Sequence, residues 1–176
     1  MQKTLYILRH AKAEVGLPTQ DDFDRALAPR GVSDAATLAA HMEKIHLLPE
    51  LVWCSSAVRT RQTLTRMQEV FAAPLPVEYK DKLYNASAGE MLAMISAAPE
   101  DISSLMVIAH NPGVHQLALK LAQAGDDKPL DTLAIKYPTC SLTVVEFASA
   151  AWRDLAVSHG KLLDFITPKM LGGVDD

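Results

Sequence analysis

The sequence predicts an α/β protein, a three-layer α/β/α sandwich around a mainly parallel central sheet. Two observations predict it. Short apolar runs alternate with amphipathic helical stretches along the chain, as strands do when crossover helices join them. The runs Leu5-Tyr6-Ile7-Leu8, Leu51-Val52-Trp53-Cys54 and Leu105-Met106-Val107-Ile108-Ala109 are also continuous rather than alternating, the pattern of strands covered on both faces.

The first strand, Leu5 to Leu8, stops at Arg9-His10, and a polar loop with Gly16, Pro18, Asp21, Asp22 and Asp24 follows. Pro29-Arg30-Gly31 opens a helix to about Ile45, with Val32, Ala35, Leu38, Ala39 and Met42 on one face. The second strand ends at Ser55-Ser56, and either hydroxyl is expected to cap the next helix. Leu64, Met67 and Phe71 form that helix's apolar face, and Pro74 and Pro76 end it. Val77 to Tyr79 reads as a strand, and Gly89 to Ala98 as a short helix with Met91, Leu92 and Ile95 inward. The strong run 105–109 leads to His110. Asn111-Pro112 is expected to start a helix, with Asn as cap, that stops at Gly125. Ser141 to Phe147 and Trp152 to Ser158 are expected to form a hairpin across a short Ala/Ser link.

The chain of 176 residues suits one domain, 1–176, with about 170–176 expected to be a mobile tail. It shows no repeat or low-complexity linker. Apolar residues make up 49% and charged residues 22%, as in folded soluble domains. The formal net charge of −4 lacks the basic surplus of a non-specific nucleic-acid binder, so no nucleic-acid partner is expected. The apolar run near the N-terminus is too short for a signal-peptide core or a membrane span. A cytoplasmic monomer or weak oligomer is therefore expected. Cys54 and Cys140 suggest buried structural thiols, not a disulfide framework or a metal site. The acidic group Asp21, Asp22 and Asp24 lacks the glycine and final glutamate of a calcium loop and reads as a solvated loop.

In layered α/β folds, ligands bind beyond the carboxyl ends of the parallel strands. That end receives Arg9-His10 from one strand, Ser55-Ser56 and Arg59 from a second, and His110 from a third. Guanidinium groups match phosphate oxygens with fork geometry. Neighbouring positive charge keeps a histidine neutral and nucleophilic, so that it can attack phosphorus. Arginines and a second histidine can hold the equatorial oxygens during transfer. This scheme requires no metal or other cofactor. On the residues alone, the reading stops at a phosphate site.

Leu8-Arg9-His10-Ala11 resembles the Arg-His-Gly motif of the histidine phosphatase superfamily, the phosphoglycerate-mutase-like enzymes. Ser55-Ser56-Ala57-Val58-Arg59-Thr60-Arg61-Gln62-Thr63 is similar to its second motif, and Val107-Ile108-Ala109-His110-Asn111 to its third. The resemblance covers nearly the whole chain. It implies a phosphoglycerate-mutase-like fold, His10 as nucleophile, Arg9 and Arg59 as phosphate ligands, and His110 completing the pocket. The compact length resembles the SixA-type branch, with a minimal cap, whose members act on phosphohistidine in signalling proteins. Arg25-Ala26-Leu27-Ala28-Pro29-Arg30-Gly31 fits that branch's loop pattern, which implies Arg25 as a further phosphate ligand. The other reading of Arg25 is a solvated side chain paired with Asp21 or Asp22.

The chain departs from the family at position 11, where Ala replaces Gly, and at the proton donor. The stretch Lys82-Leu83-Tyr84-Asn85-Ala86-Ser87 offers no acid. Glu14, Asp22, Asp24, Glu90 or solvent remain as donors, a shortage that suits an imidazole leaving group. The expected function is therefore hydrolysis of protein phosphohistidine. The alternatives are a small-molecule phosphomonoesterase on the same fold and a phosphate- or phosphoprotein-binding module without turnover.

Overall fold

The computed structural model describes residues 2–148, 151–157 and 159–176. Its elements in chain order are β1 (Lys3–Arg9), α1 (Pro29–Lys44), β2 (Leu51–Ser55), α2 (Val58–Gln68), β3 (Val77–Lys80), α3 (Ala88–Ile95), β4 (Ser104–Ala109), α4 (Gly113–Leu121), β5 (Ala122–Ala124), α5 (Asp127–Ile135), β6 (Leu142–Phe147) and β7 (Gly160–Ile166). Short 3-10 turns fill several of the connections. The seven strands form one sheet in the order β3-β2-β4-β1-β6-β7-β5. Only β6 runs against its neighbours, pairing antiparallel with both β1 and β7.

The continuous apolar strands divide their side chains between two cores. Leu5, Ile7, Trp53, Leu105 and Val107 pack with residues of α3, α4 and α5. The intervening Tyr6, Leu8, Val52, Cys54, Met106 and Ile108 pack with α1 and α2. This period-two division makes the chain a three-layer sandwich, because both faces of the central strands need a cover.

Topology gathers the three polar strand ends. β4 lies between β2 and β1, with Arg9 opposite Ala109 and Cys54 opposite Ile108. Arg9-His10, Ser55 and His110 therefore emerge side by side. Two short loops overlie this end. The loop after β1 closes at its base through an Ala13–Leu27 bridge and a Glu14 N–H to Ala26 carbonyl bond of 2.8 Å. The link 81–87 between β3 and α3 is the minimal cap.

Several local expectations change. The helix after β2 takes Ala57 as its cap residue, without a side-chain cap bond. Ser55 turns instead toward His110, and the Ser56 hydroxyl donates to Asp81. Pro112, rather than Asn111, is the cap position of α4, and a cis peptide joins the two. That helix ends at Leu121, and β5 follows before Gly125. The second hairpin strand is β7; Trp152–Val157 is a 3-10 segment in the connection. The Ala/Ser link lies partly outside the described residues, as does Ser158. The segment 170–176 does not project freely. Asp175 accepts from Lys136 Nζ at 2.6 Å and Lys169 N at 2.9 Å, and Asp176 accepts from Thr139 N at 2.9 Å.

Gly31 sits where α1 meets the backbone after His10. A Cβ there would lie 2.1 Å from the Lys12 carbonyl oxygen, which also accepts from Ala28 N at 2.9 Å. Backbone cannot yield as a flexible side chain does. Gly31→Ala should therefore cost about 1–3 kcal/mol of stability, read as a lower urea midpoint.

Candidate active site

His10 is buried where β1 ends. Its backbone N–H donates to the Ala109 carbonyl at 3.1 Å, and its carbonyl accepts from Cys140 N at 3.0 Å. Its ring Nδ1 lies 2.7 Å from the Ala11 carbonyl oxygen. A carbonyl can only accept, so Nδ1 carries the ring proton and Nε2 presents its lone pair. Arg59 Nε faces that lone pair at 3.4 Å.

The support for this geometry comes from α2. Thr63 Oγ1 accepts from Ala11 N at 2.9 Å and donates to the Arg59 carbonyl at 2.7 Å. Gln62 Oε1 accepts from Leu27 N at 2.7 Å, which ties the loop after β1 to the same helix. Thr63 and Gln62 thus position the site, a role that their place in the second motif did not reveal.

His110 is buried 5.3 Å from His10, centroid to centroid. Its Nε2 lies 2.8 Å from Ser55 Oγ, and that oxygen also accepts from Ala57 N at 3.5 Å. The serine hydroxyl, with one proton and two lone pairs, holds this ring nitrogen in place in either tautomer. Nδ1 is buried without a partner. Burial first, then the charges of Arg59 and Arg9, push His110 down to about 4, against an opposing pull from Asp22. Burial likewise pushes His10 down to about 3, helped by His110, Arg59 and Arg9 and opposed by the Ala11 carbonyl. Both rings are neutral near pH 7.

Arg9, Arg25 and Arg59 line one cavity of about 230 Å³ together with His10, His110 and Lys12; Asn85, Asn111, Thr139 and Asp176 complete its wall. All five sequence-predicted site residues are therefore brought together. Arg9 Nη1 donates to the Tyr137 carbonyl at 2.8 Å, while its buried Nε has no partner. Tyr137 is itself fixed, donating to the Ile7 carbonyl at 2.6 Å and accepting from Thr143 at 2.8 Å. Arg25 donates to the Glu14 carbonyl at 3.0 Å and to Asp22 Oδ1 at 2.9 Å, so it both lines the cavity and pairs with Asp22.

Asp22 is no simple solvated residue. Its carbonyl accepts from Arg59 Nη1 at 2.7 Å, and its Oδ2 accepts from Arg59 Nη2 at 3.0 Å and from Tyr84 Oη at 2.7 Å. The Tyr84 ring stands edge-on to His110 at 5.4 Å and beneath the Arg59 guanidinium at 5.9 Å. Hydrogen bonds from Tyr84 and Arg25 hold the Asp22 carboxyl well below the usual range, so it remains ionised. None of the acids considered as donors, Asp22 included, lines the cavity. Glu90 closes a capping box with Ser87. Arg66 pairs with Glu69 at 2.9 Å, and Arg61 lies over Tyr79, so neither joins the site.

A lone-pair nitrogen beside convergent guanidinium groups at parallel strand ends defines an α/β protein with a cationic pocket around a histidine. The chain belongs to the histidine phosphatase superfamily, branch 1, whose model matches residues 5–104. Its fold is SixA-like and phosphoglycerate-mutase-like. It is similar to the candidate phosphohistidine phosphatase SixA of Nakamurella multipartitia, with TM-score 0.80 and 31% identity over 96% of this chain and 97% of that one. The corresponding protein of Agrobacterium tumefaciens gives TM-score 0.78 and 30% identity over 94% and 98%. An uncharacterized protein of Mycobacterium leprae is 30% identical over 92% of this chain and 100% of its own length. Among the described residues no helix is long and apolar enough to cross a membrane.

The two neutral histidines link the site to stability. An unfolded histidine takes up its proton as pH falls through about 6.5, whereas folded His10 stays neutral to about 3. The unfolded state therefore binds more protons in that window, and stability falls as pH falls. Between pH 6.5 and 4.5, wild-type stability should drop more steeply than that of His10→Asn, by about 1.4 kcal/mol per pH unit. Urea unfolding across that range checks it.

Proposed function

We propose that this protein hydrolyses phosphohistidine on a protein substrate, through a phosphoenzyme formed at His10. The observation that carries the reading is the fixed tautomer of His10, whose Nε2 lone pair faces Arg59 within a cationic cavity. In the first step that lone pair forms a bond to phosphorus while the bond from phosphorus to the substrate imidazole breaks. The departing imidazole nitrogen takes its proton from solvent. Arg9, Arg25 and Arg59 hold the equatorial oxygens, and His110 stands beside them in the same cavity. In the second step water attacks phosphorus, the phosphorus–nitrogen bond to His10 breaks, and the Nε2 lone pair returns. Phosphate leaves with both protons of the attacking water, one of which passes on to solvent near neutral pH.

The preference for phosphohistidine rests on the missing acid. An alkoxide leaving group needs a positioned proton donor far more than an imidazole does. Asp22, the acid paired with Arg25 and Arg59, is ionised and bound by three donors. The short link 81–87 also leaves the site accessible to a phosphorylated side chain on another protein. The SixA description of structural relatives at 30–31% identity supports the same choice. A small-molecule phosphomonoesterase would use the same cavity and the same first step, but would need an acid at the leaving oxygen.

His10→Ala should abolish acid-labile phosphoenzyme and reduce turnover at least about 10³-fold, and Arg59→Ala should reduce it about 10²–10³-fold. Labelling with radioactive phosphohistidine protein checks both, and EDTA should leave the wild-type rate unchanged. In a substrate panel, phosphohistidine protein should exceed alkyl phosphomonoesters in kcat/KM by about 10²-fold or more, the usual worth of a general acid. Equal or better turnover of alkyl esters would overturn the phosphohistidine assignment.

A further inference from the structure

One wall of the phosphate cavity comes from the far end of the chain. The segment after the 3-10 turn Pro168–Leu171 folds back, and the Asp176 side chain enters the cavity lining. Its carboxylate accepts from Thr139 N at 2.9 Å and Thr139 Oγ1 at 3.0 Å, pairs with Lys12 Nζ at 3.1 Å, and lies 3.5 Å from Arg30 Nη2. Asp175 anchors the approach through Lys136 at 2.6 Å and Thr167 Oγ1 at 3.2 Å. Burial pushes the Asp176 carboxyl up, but the bonds from Thr139 and Lys12 and the charge of Arg9 bring it down to about 2, so it is ionised.

The charges in this cavity are matched to one phosphoryl group. Among the lining side chains Arg9, Lys12, Arg25 and Arg59 are cationic and Asp176 is anionic; Asp22, outside the lining, is ion-paired with Arg25 and Arg59. Both histidines are neutral, so these side chains, with Asp22 counted, leave a surplus of two positive charges. A phosphoryl group near neutral pH carries ~1.5 to 2 negative charges. Asp22 neutralises the side of Arg25 and Arg59. Asp176 neutralises the side of Arg9 and Lys12, and it holds the Lys12 ammonium in a pair.

Resting on the phosphatase reading above, we propose that Asp176 is a specificity-determining residue: it restrains Lys12 and cancels one positive charge, so the pocket accepts a single phosphoryl group, discriminates against anions with a second phosphate, and releases inorganic phosphate readily.

A bracing role for Asp176 predicts the opposite sign. If the carboxylate only steadied the Thr139 loop, its loss would loosen Tyr137 and Arg9 and weaken phosphate binding. The charge-matching role predicts tighter binding, because the same loss frees Lys12 for the ligand. Asp176→Asn keeps an acceptor for Thr139 N, removes the charge, and puts an amide that can donate to Thr139 Oγ1 in place of the second oxygen.

Calorimetric titration of the full chain with inorganic phosphate and with pyrophosphate tests this without any substrate. Asp176→Asn should bind phosphate about three- to tenfold more tightly than wild type, with a larger gain for pyrophosphate. Lys12→Met should cost more affinity in the Asp176→Asn background than in the wild-type background. Unchanged or weaker phosphate binding by Asp176→Asn would overturn the inference. If Asp176→Asn does not fold, Lys12→Met alone decides: a full charge's loss of affinity in the wild-type background, about threefold or more, would mean that Lys12 is already a ligand and the inference fails. A wild-type protein that binds neither anion would instead overturn the reading of the cavity as a phosphate site.

Discussion

The bond between His10 Nδ1 and the Ala11 carbonyl is the constraint on which the rest of the site depends. Without it the ring could carry its proton on either nitrogen, and the guanidinium of Arg59 would face an N–H as often as a lone pair. The carbonyl can hold the ring only if the Ala11 peptide is itself held. Thr63 does this from α2, and its second bond, to the Arg59 carbonyl, sets His10 and Arg59 in one frame. On the other side, α1 presses its glycine against the Lys12 backbone, with no room for a side chain between them. The His10 ring is thus oriented by peptide groups clamped between two helices of one layer, while the sheet delivers the two histidines side by side.

Burial and charge act in the same direction on these histidines. Water exclusion disfavours the imidazolium, and the arginines disfavour it further. The arginines face the converse problem, since several cations collected at one point repel one another. The carboxylates of Asp22 and Asp176 relieve that repulsion from opposite sides of the cavity. Neither needs to touch a substrate to matter. Each sets how much positive potential remains in the cavity, and Asp22 also orients Arg59, its carboxylate accepting from Nη2 and its backbone carbonyl from Nη1.

The parts that were legible in the sequence are those governed by short-range pattern. β1, β2 and β4 are doubly covered strands and read as unbroken apolar runs. The helix from Pro29 showed its buried stripe, and the residues at the strand ends followed from the topology rule. Elements whose structure depends on distant partners were not legible. β5 is three residues long and exists through its pairing with β7. α5 buries little beyond Leu133 and contains Pro129, so its pattern is weak. Trp152 and Leu155 mimic a strand because they are buried, yet a 3-10 segment carries them. Asp22 resembled a solvated acid because Arg59 and Tyr84 lie far away in sequence. Asp175 and Asp176 looked like a loose polar end for the same reason, their partners Lys136, Thr139 and Lys12 being contributed by other loops.

The missing proton donor and the short cap follow from a single arrangement. A longer insertion between β3 and α3 could have placed an acid over the leaving group and enclosed a small substrate. Here that link brings Tyr84 instead, and its hydroxyl hydrogen-bonds the Asp22 carboxylate in the ionised state. A residue committed to holding Arg59 cannot also hold a proton for a leaving group at neutral pH. On the function proposed above, such a site suits a leaving group that departs without assistance, as an imidazole does more readily than an alkoxide.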